Sequence, residues 1–308
     1  VSVDWRSGAE PGLTAEVRAL VAAARDVDGV EPLGGHLLEA LTTDHAPARV
    51  ALRADDGTLL GLAVAPEQDP AELVVHPDHR GRGRGGALLA SALDRAGRVW
   101  AHGNLPAAAA LAERSGLVRV RTLLQMRRTG PPPVAPDLPA GVRLRAFRPG
   151  RDEQALLGVN ARAFAWHPEQ GRLDLPGLEL EMAQDWFDPA GLLLAVTDDD
   201  TVLGFHWTKV HPVDPTPPPA DAAGAGTSGG PIGEVYVLAV DPLSPIRRLG
   251  GALTVAGLDH LAGRGLRTVM LYVEADNTRA VELYERWSFT VHQENVVWSR
   301  SAGAPDSR

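Results

Sequence analysis

Residues 71–97, AELVVHPDHRGRGRGGALLASALDRAG, run from a short apolar segment through a glycine-rich basic loop into a stretch with the pattern of a helix. The segment AELVVHP reads as a buried strand closed by Pro77, and the remainder as a loop that opens a helix. A loop of this kind suits a pyrophosphate. Its glycines let the backbone come close to an anion, N–H groups at the helix start point at it, and arginines add counter-charge. Arg80, Gly83 and Gly85 meet the spacing [Q/R]-x-x-G-x-[G/A] after a strand, which favours a ligand-binding loop over a merely flexible basic turn.

The same order occurs again downstream. GEVYVLAVDP (233–242) is a second buried strand, and LSPIRRLGGALTVAGLDHLAGRG (243–265) a second loop and helix. Each strand is preceded by a hairpin, RVALRADDGTLLGLAVA (49–65) and LLLAVTDDDTVLGFHWTKV (192–210). Val75-His76-Pro77 matches Val240-Asp241-Pro242 at an offset of 165, and Glu113-Arg114 matches Glu285-Arg286 at 172. A nearly constant offset over several elements indicates an internal duplication. The proline-rich stretch TGPPPVAPDLPAG (129–141) favours an extended spacer. It divides an expected N-terminal domain, 1–129, from a C-terminal domain, 141–301, with 130–140 as linker. Residues 212–233 have almost no apolar bulk and read as a mobile insert, and 302–308 as a frayed tail.

Composition agrees with two globular domains: 308 residues, 44% hydrophobic and 22% charged, enough for two cores. A formal net charge of −9 argues against a nucleic-acid partner. No cysteine is present, so thiolate chemistry and disulfides are unavailable. The first residues lack a basic region followed by an apolar run, and no stretch approaches the ~20 apolar residues of a membrane span, so the expectation is a cytoplasmic protein without a membrane partner. His167, His206, His211 and His292 are scattered without metal-ligand spacing; they read as structural or solvent-facing, and no metal is expected. Lys209, in GFHWTKVHP (204–212), is the only lysine, against 29 arginines. A slim ammonium suits a contact with a polyol where a wide guanidinium would fill the pocket, although a residual lysine in an arginine-biased chain is the alternative.

This order of elements resembles the GNAT family of acyl-CoA-dependent N-acyltransferases. The resemblance implies an α/β (α+β) fold of two tandem domains, each a mixed, mainly antiparallel sheet flanked by helices, with acetyl-CoA as acyl donor. In the first half Leu73, Val74, Val75 and the loop Arg80, Gly81, Arg82, Gly83, Arg84, Gly85 and Gly86 would bind it. In the second half Leu238, Ala239 and Val240 would do so, with the loop Pro245, Ile246, Arg247, Arg248, Leu249, Gly250 and Gly251. Asn277, Thr278, Arg279, Ala280, Val281 and Glu282 would also line the CoA. The second loop departs from the pattern, with Pro245 at the leading position and Arg248 where the first glycine is expected. Acetyl transfer needs an unprotonated amine, a polarised thioester and a proton for the departing thiolate. Glu234, at the entrance to the CoA strand, suits the base, with an exposed strand-end glutamate as the alternative. Tyr284, in NTRAVELYERWSF (277–289), matches the family's general acid, with a half-buried core tyrosine as the alternative. The first-half residue matching Tyr284 is Ala112, which cannot donate a proton, so the first half is expected to bind CoA without catalysing. Asn104 and Asn277 each precede a helix and are expected to cap it.

Eight segments in order, among them VDWRS, HPEQG, WFDP and LYVEADN, resemble the mycothiol synthase family of tandem GNAT enzymes. That family acetylates the cysteinyl amine of cysteinyl-glucosaminyl-inositol. By position, Lys209, Glu234 and Tyr272 would contact this substrate. Two acidic contacts of the family are replaced, by Gly35 and by Gln184 beside Asp185; Gln184 can still hydrogen-bond sugar hydroxyls. Ser288 replaces the usual glycine of the turn before Phe289. These departures leave a GNAT acting on another small amine or peptide N-terminus as one alternative. The altered second loop leaves a non-catalytic acyl-CoA-binding sensor as another. A monomer is expected.

Overall fold

The structure is a computed structural model that describes residues 4–8, 10, 12–43, 46–134, 136–166, 170–214 and 230–301. Residues 215–229 of the expected insert, the tail at 302–308 and His167 lie outside the described residues.

The first half comprises α1 (Leu13–Asp28), α2 (Gly35–Ala40), β1 (Ala48–Arg53), β2 (Leu59–Ala65), β3 (Glu72–Val75), α3 (Arg84–Ala96), β4 (Arg98–Ala101), α4 (Pro106–Arg114) and β5 (Leu117–Thr129). The second half repeats the series with β6 (Val142–Ala146), α5 (Glu153–Ala163), α6 (Leu175–Met182), β7 (Leu192–Thr197), β8 (Val202–His211) and β9 (Ile232–Val240). It ends with α7 (Leu249–Gly263), β10 (Thr268–Glu274), α8 (Thr278–Arg286) and β11 (Thr290–Arg300). The mixed order of helices and strands expected from the duplication is therefore present in both halves. Strands β2 and most of β8 are buried along their length, as their near-continuous apolar runs require when helices cover both faces of a sheet. Helices α1 and α2 pack on one face of the first half and α3 on the other; in the second half α5 and α6 pack opposite α7. Among the described residues no helix is long and apolar enough to cross a membrane.

The two halves are not joined by the linker alone. Strands β1-β2-β3 form an antiparallel sheet, and the remaining eight follow the order β4-β11-β5-β10-β9-β8-β7-β6. The last strand of each half has crossed into the other: β11 pairs with β4, and β5 pairs with β10. The two exchanged strands also pair with each other from Thr290 to Arg300. A parallel bridge at Ala71–Val99, with Ala71 N–H donating to Arg98 O (2.9 Å) and Trp100 N–H to Ala71 O (2.8 Å), links the small sheet to the large one. The cores follow the exchange. Val296 and Trp298 of β11 complete the first half's core around α3, while Leu124 and Met126 of β5 complete the second half's core around Leu258 and Phe289. Each fully buried side chain of this size contributes roughly 1.5–3 kcal/mol, so neither core is whole without its neighbour's strand.

Departures from the repeat leave a mark on the backbone. Gly83 caps α3 at φ 78°, and Arg248, at the matching place before α7, takes φ 68°. Gly116 has φ 69°, and its counterpart Ser288 has φ 63°. The left-handed conformation is thus retained at both positions, at about 1–2 kcal/mol each for a residue with a Cβ.

Candidate active site

The second half's cleft begins where β9 and β10 part. They pair in parallel only at Gly233–Val269, Glu234–Met270 and Val235–Leu271. Just beyond, the β8–β9 register shifts between Trp207 and Thr208, leaving Tyr236 as an extra residue on β9. A bulge of this kind bends the strand and ends regular pairing. Beyond Val235, β9 has no β10 partner, so the stretch Tyr236 to Val240 can offer backbone groups to a ligand that brings amides of its own.

Glu234 sits at the mouth of this opening, only 6% exposed, and opposite Lys209 in the β8–β9 register. His211 Nε2 lies 2.6 Å from Glu234 Oε2. The Lys209 ammonium rests over two aromatic faces, 4.2 Å from the centre of Trp186 and 4.8 Å from that of Tyr236. Trp186, Trp207 and Tyr236 form one cluster, with ring centres 5.1–5.7 Å apart. No carboxylate pairs with Lys209 among the described residues, so its three N–H donors remain available.

The three tyrosines of the chain are all in this half. Burial, then Glu181, which shares a hydrogen bond with the phenol, and then Glu234 raise the pKa of Tyr236. Burial and the charge of Glu234 raise that of Tyr272, opposed by a hydrogen bond from Gln125. Tyr284 on α8 is raised by burial alone; it is 7% exposed and packs edge-on against Phe289, 5.7 Å between centres. All three phenols therefore stay neutral through the physiological range. The charge of Glu234 reaches two of them.

The expected CoA residues fall where strand, loop and helix require. Leu238 to Val240 end β9, Pro245 to Arg248 form the loop, and Leu249 starts α7. Asn277 caps α8, its side chain accepting from Ala280 N–H at 3.2 Å. The first half has the same framework, with Leu73 to Val75 in β3 and Gly83 capping α3. There Arg80 is already engaged: its fork holds Asp28 through two 2.7 Å bonds, and its Nε donates to Val75 O at 3.1 Å. Aligning the two parallel bridges, Ala71–Val99 with Val235–Leu271, places Pro70 at the position of Glu234. Ala112, at the position of Tyr284, is buried. The first half thus has neither a carboxylate nor a phenol at the two matching positions.

Several residues depart from the sequence reading. His211 was expected to be structural or solvent-facing, and instead bonds Glu234, because the diagonal of an antiparallel pair brings the two together. Asn104 does not cap α4, whose cap position is Leu105; Asn104 has φ 40° and a buried side-chain oxygen without a partner. Gln184 is exposed and donates to Leu180 O at 3.2 Å, while the carboxylate that reaches this cluster from α6 is Glu181, three residues earlier. Gly35 opens α2 with open space where a Cβ would stand. Trp186, Tyr236, Gln125 and Arg127 were missed altogether. The aromatic pair in WFDP was a signal for Trp186; nothing in the sequence pointed to the others. Among the described residues no three His, Asp or Glu side chains are grouped so as to hold a metal.

Comparison with known proteins gives a consistent picture. The model of the Acetyltransferase (GNAT) family matches residues 19–117 and 160–289. A mycothiol acetyltransferase from Thermobispora bispora is 52% identical over 94% of this chain and 97% of its own. One from Frankia alni is 44% identical over 99% and 96%. A tandem GNAT protein from the clavulanic acid biosynthesis pathway superposes with a TM-score of 0.67 at 18% identity, covering 99% of this chain and 100% of its own, a likeness of fold.

Proposed function

Because the chain belongs to the mycothiol acetyltransferases of the GNAT family, we propose that it moves the acetyl group of acetyl-CoA onto the cysteinyl amine of cysteinyl-glucosaminyl-inositol, giving mycothiol and CoA. It is an acyltransferase, and GNAT acetyltransferases use acetyl-CoA. The observation that supports the choice of site is the contrast between the two clefts. Glu234 and Tyr284 stand in the second, and Pro70 and Ala112 at the same places in the first.

In the second cleft CoA lies along Leu238 to Val240, with its pyrophosphate at the start of α7 and Asn277 to Glu282 alongside. The amine enters from the side of Glu234. The carboxylate takes a proton from the amine, directly or through a water, freeing the nitrogen lone pair. Nitrogen attacks the thioester carbon, a C–N bond forms, and the C–S bond breaks as the tetrahedral intermediate collapses. The departing thiolate takes the proton of Tyr284, whose raised pKa keeps it protonated until that moment, and the surplus proton that the attacking nitrogen sheds as the amide forms returns through water to the phenolate. Lys209 and Tyr272 hold the hydroxyl-rich part of the acceptor. The ammonium, fixed between Trp186 and Tyr236, is slim enough to donate without closing the cleft. Gln184 adds a contact at the rim. The first half keeps the strand and loop for a CoA and serves no chemistry.

The test is to supply acetyl-CoA with cysteinyl-glucosaminyl-inositol and with a panel of other small amines and peptide N-termini, following CoA release. Turnover greatest on cysteinyl-glucosaminyl-inositol is expected. Faster turnover on another amine would overturn the substrate assignment while leaving acetyl transfer intact.

A further inference from the structure

We propose that Gln125, on the strand exchanged from the first half, fixes the direction of the Tyr272 hydroxyl hydrogen and so acts as a positioning residue for the acceptor. The inference rests on the proposed contact between Tyr272 and that acceptor.

Gln125 is fully buried and directly opposite Tyr272 in the β5–β10 register. Its Nε2 stands 2.8 Å from the Tyr272 hydroxyl, and its Oε1 3.0 Å from Arg127 Nε. The orientation of the amide follows from chemistry. Arg127 Nε can only donate, so the Gln125 atom facing it is the oxygen, and the amide nitrogen must face the phenol. Arg127 is itself held, its two terminal nitrogens bonding the two oxygens of Asp214 at 2.8 Å each. The chain of donors therefore runs one way, from Arg127 to Gln125 and from Gln125 to Tyr272.

An amide N–H cannot accept. The phenol oxygen accepts from Gln125, and its own hydrogen must point away from that bond. Tyr272 is 38% exposed while Gln125 is fully buried, so the phenol is held from the protein side and part of the residue stays open. The hydroxyl hydrogen is thus presented as a donor, suited to a hydroxyl or carbonyl oxygen of the acceptor. The duplication gives a control. At the offset of 172, Trp100 replaces Tyr272 and Val297 replaces Gln125, so the first cleft has neither partner.

Full-length variants separate this role from simple packing. In Gln125→Glu the carboxylate still bonds Arg127 but can only accept from the phenol, turning its hydrogen inward. The KM for cysteinyl-glucosaminyl-inositol should rise about tenfold, the scale of one hydrogen bond, with the KM for acetyl-CoA unchanged. In a Tyr272→Phe background the same substitution should change neither constant. Gln125→Met, which adds no buried charge, should show the same dependence on Tyr272 with a smaller rise and carries the test if Gln125→Glu fails to fold. An unchanged KM in both Gln125 variants, or an equal rise with and without the Tyr272 hydroxyl, would overturn the inference. If Tyr272→Phe alone leaves the acceptor KM unchanged, the contact with Tyr272 fails, and the inference fails with it.

Discussion

His211 Nε2 and Glu234 Oε2 stand 2.6 Å apart, diagonally across the β8–β9 pair. One carboxylate oxygen is thereby fixed, and with it the orientation of the carboxylate plane. Removing a hydrogen bond to a charged group typically costs about 1.5–3 kcal/mol where the geometry depends on it. His211→Ala should lower kcat by about tenfold or more at unchanged KM for acetyl-CoA, and His211→Gln, which keeps a donor, should recover much of the loss. Equal kcat values for wild type and His211→Ala would show that the bond has no part in the reaction.

Tyr284 supplies a pH prediction with a definite sign. Burial raises its pKa, so the neutral phenol, the form able to donate, persists above the ordinary value of about 10. The alkaline limb of kcat should therefore show no fall from this group below about pH 10. Tyr284→Phe should lower kcat by ~10²-fold or more across the profile, the scale of a lost general acid. A fall near pH 9 that disappears in Tyr284→Phe would contradict the raised pKa, and an unchanged kcat in Tyr284→Phe would remove the residue from the acid role.

The left-handed residues Ser288 and Arg248 make opposite demands. Ser288 is exposed, and Ser288→Gly should raise stability by roughly 0.5–1 kcal/mol in urea unfolding, the relieved strain less the added freedom of the unfolded chain. Arg248→Gly should bring a similar gain but weaken acetyl-CoA if the pyrophosphate sits at the start of α7 as proposed, because a guanidinium at that loop is lost. A gain in stability without a change in KM for acetyl-CoA would remove Arg248 from that seat.

Stability should also fall in acid through His206. This imidazole is fully buried, with Nδ1 2.7 Å from Leu253 O, and it is packed so closely on Gly257 that a Cβ there would collide with the ring. Burial lowers its pKa from 6.5 to about 4. Between those values the unfolded chain binds a proton that the folded chain does not, so stability drops as pH falls through this window and levels off below it. The contribution between about pH 7 and about pH 4.5 is roughly 2–3 kcal/mol. His206→Asn should flatten that part of the unfolding profile, and an unchanged slope would place the acid sensitivity elsewhere.

Much of this was legible in the sequence. The repeat spacing predicted matching hairpins, loops and helices; Asn277 caps as its type suggests; and Arg248 and Ser288 stood out as side chains where the family pattern has glycine. The exchange of β5 and β11 was not legible, because alternation along a strand says which face is buried and not which strand lies beside it. Gln125 and Arg127 consequently looked like ordinary polar residues of the first half. His211 was hidden for a related reason. Its partner is 23 residues away along the chain, and only the β8–β9 register brings the two side chains together.

The exchange also bears on dissection of the chain. A fragment of residues 130–308 lacks β5, and with it Leu124, Met126, Gln125 and Arg127. It should give no acetyl transfer alone and regain it when residues 1–129 are co-expressed. Full activity of the fragment would mean that β5 is not needed at the site.

The most direct measurement is a crystal structure of the full chain with CoA and mycothiol. The product's amide nitrogen should lie within hydrogen-bond reach of Glu234, directly or through one water, with the CoA sulfur beside the Tyr284 hydroxyl and the sugar portion against Lys209 and Tyr272. Mycothiol bound in the first half's cleft, between Pro70 and Ala112, would contradict the account.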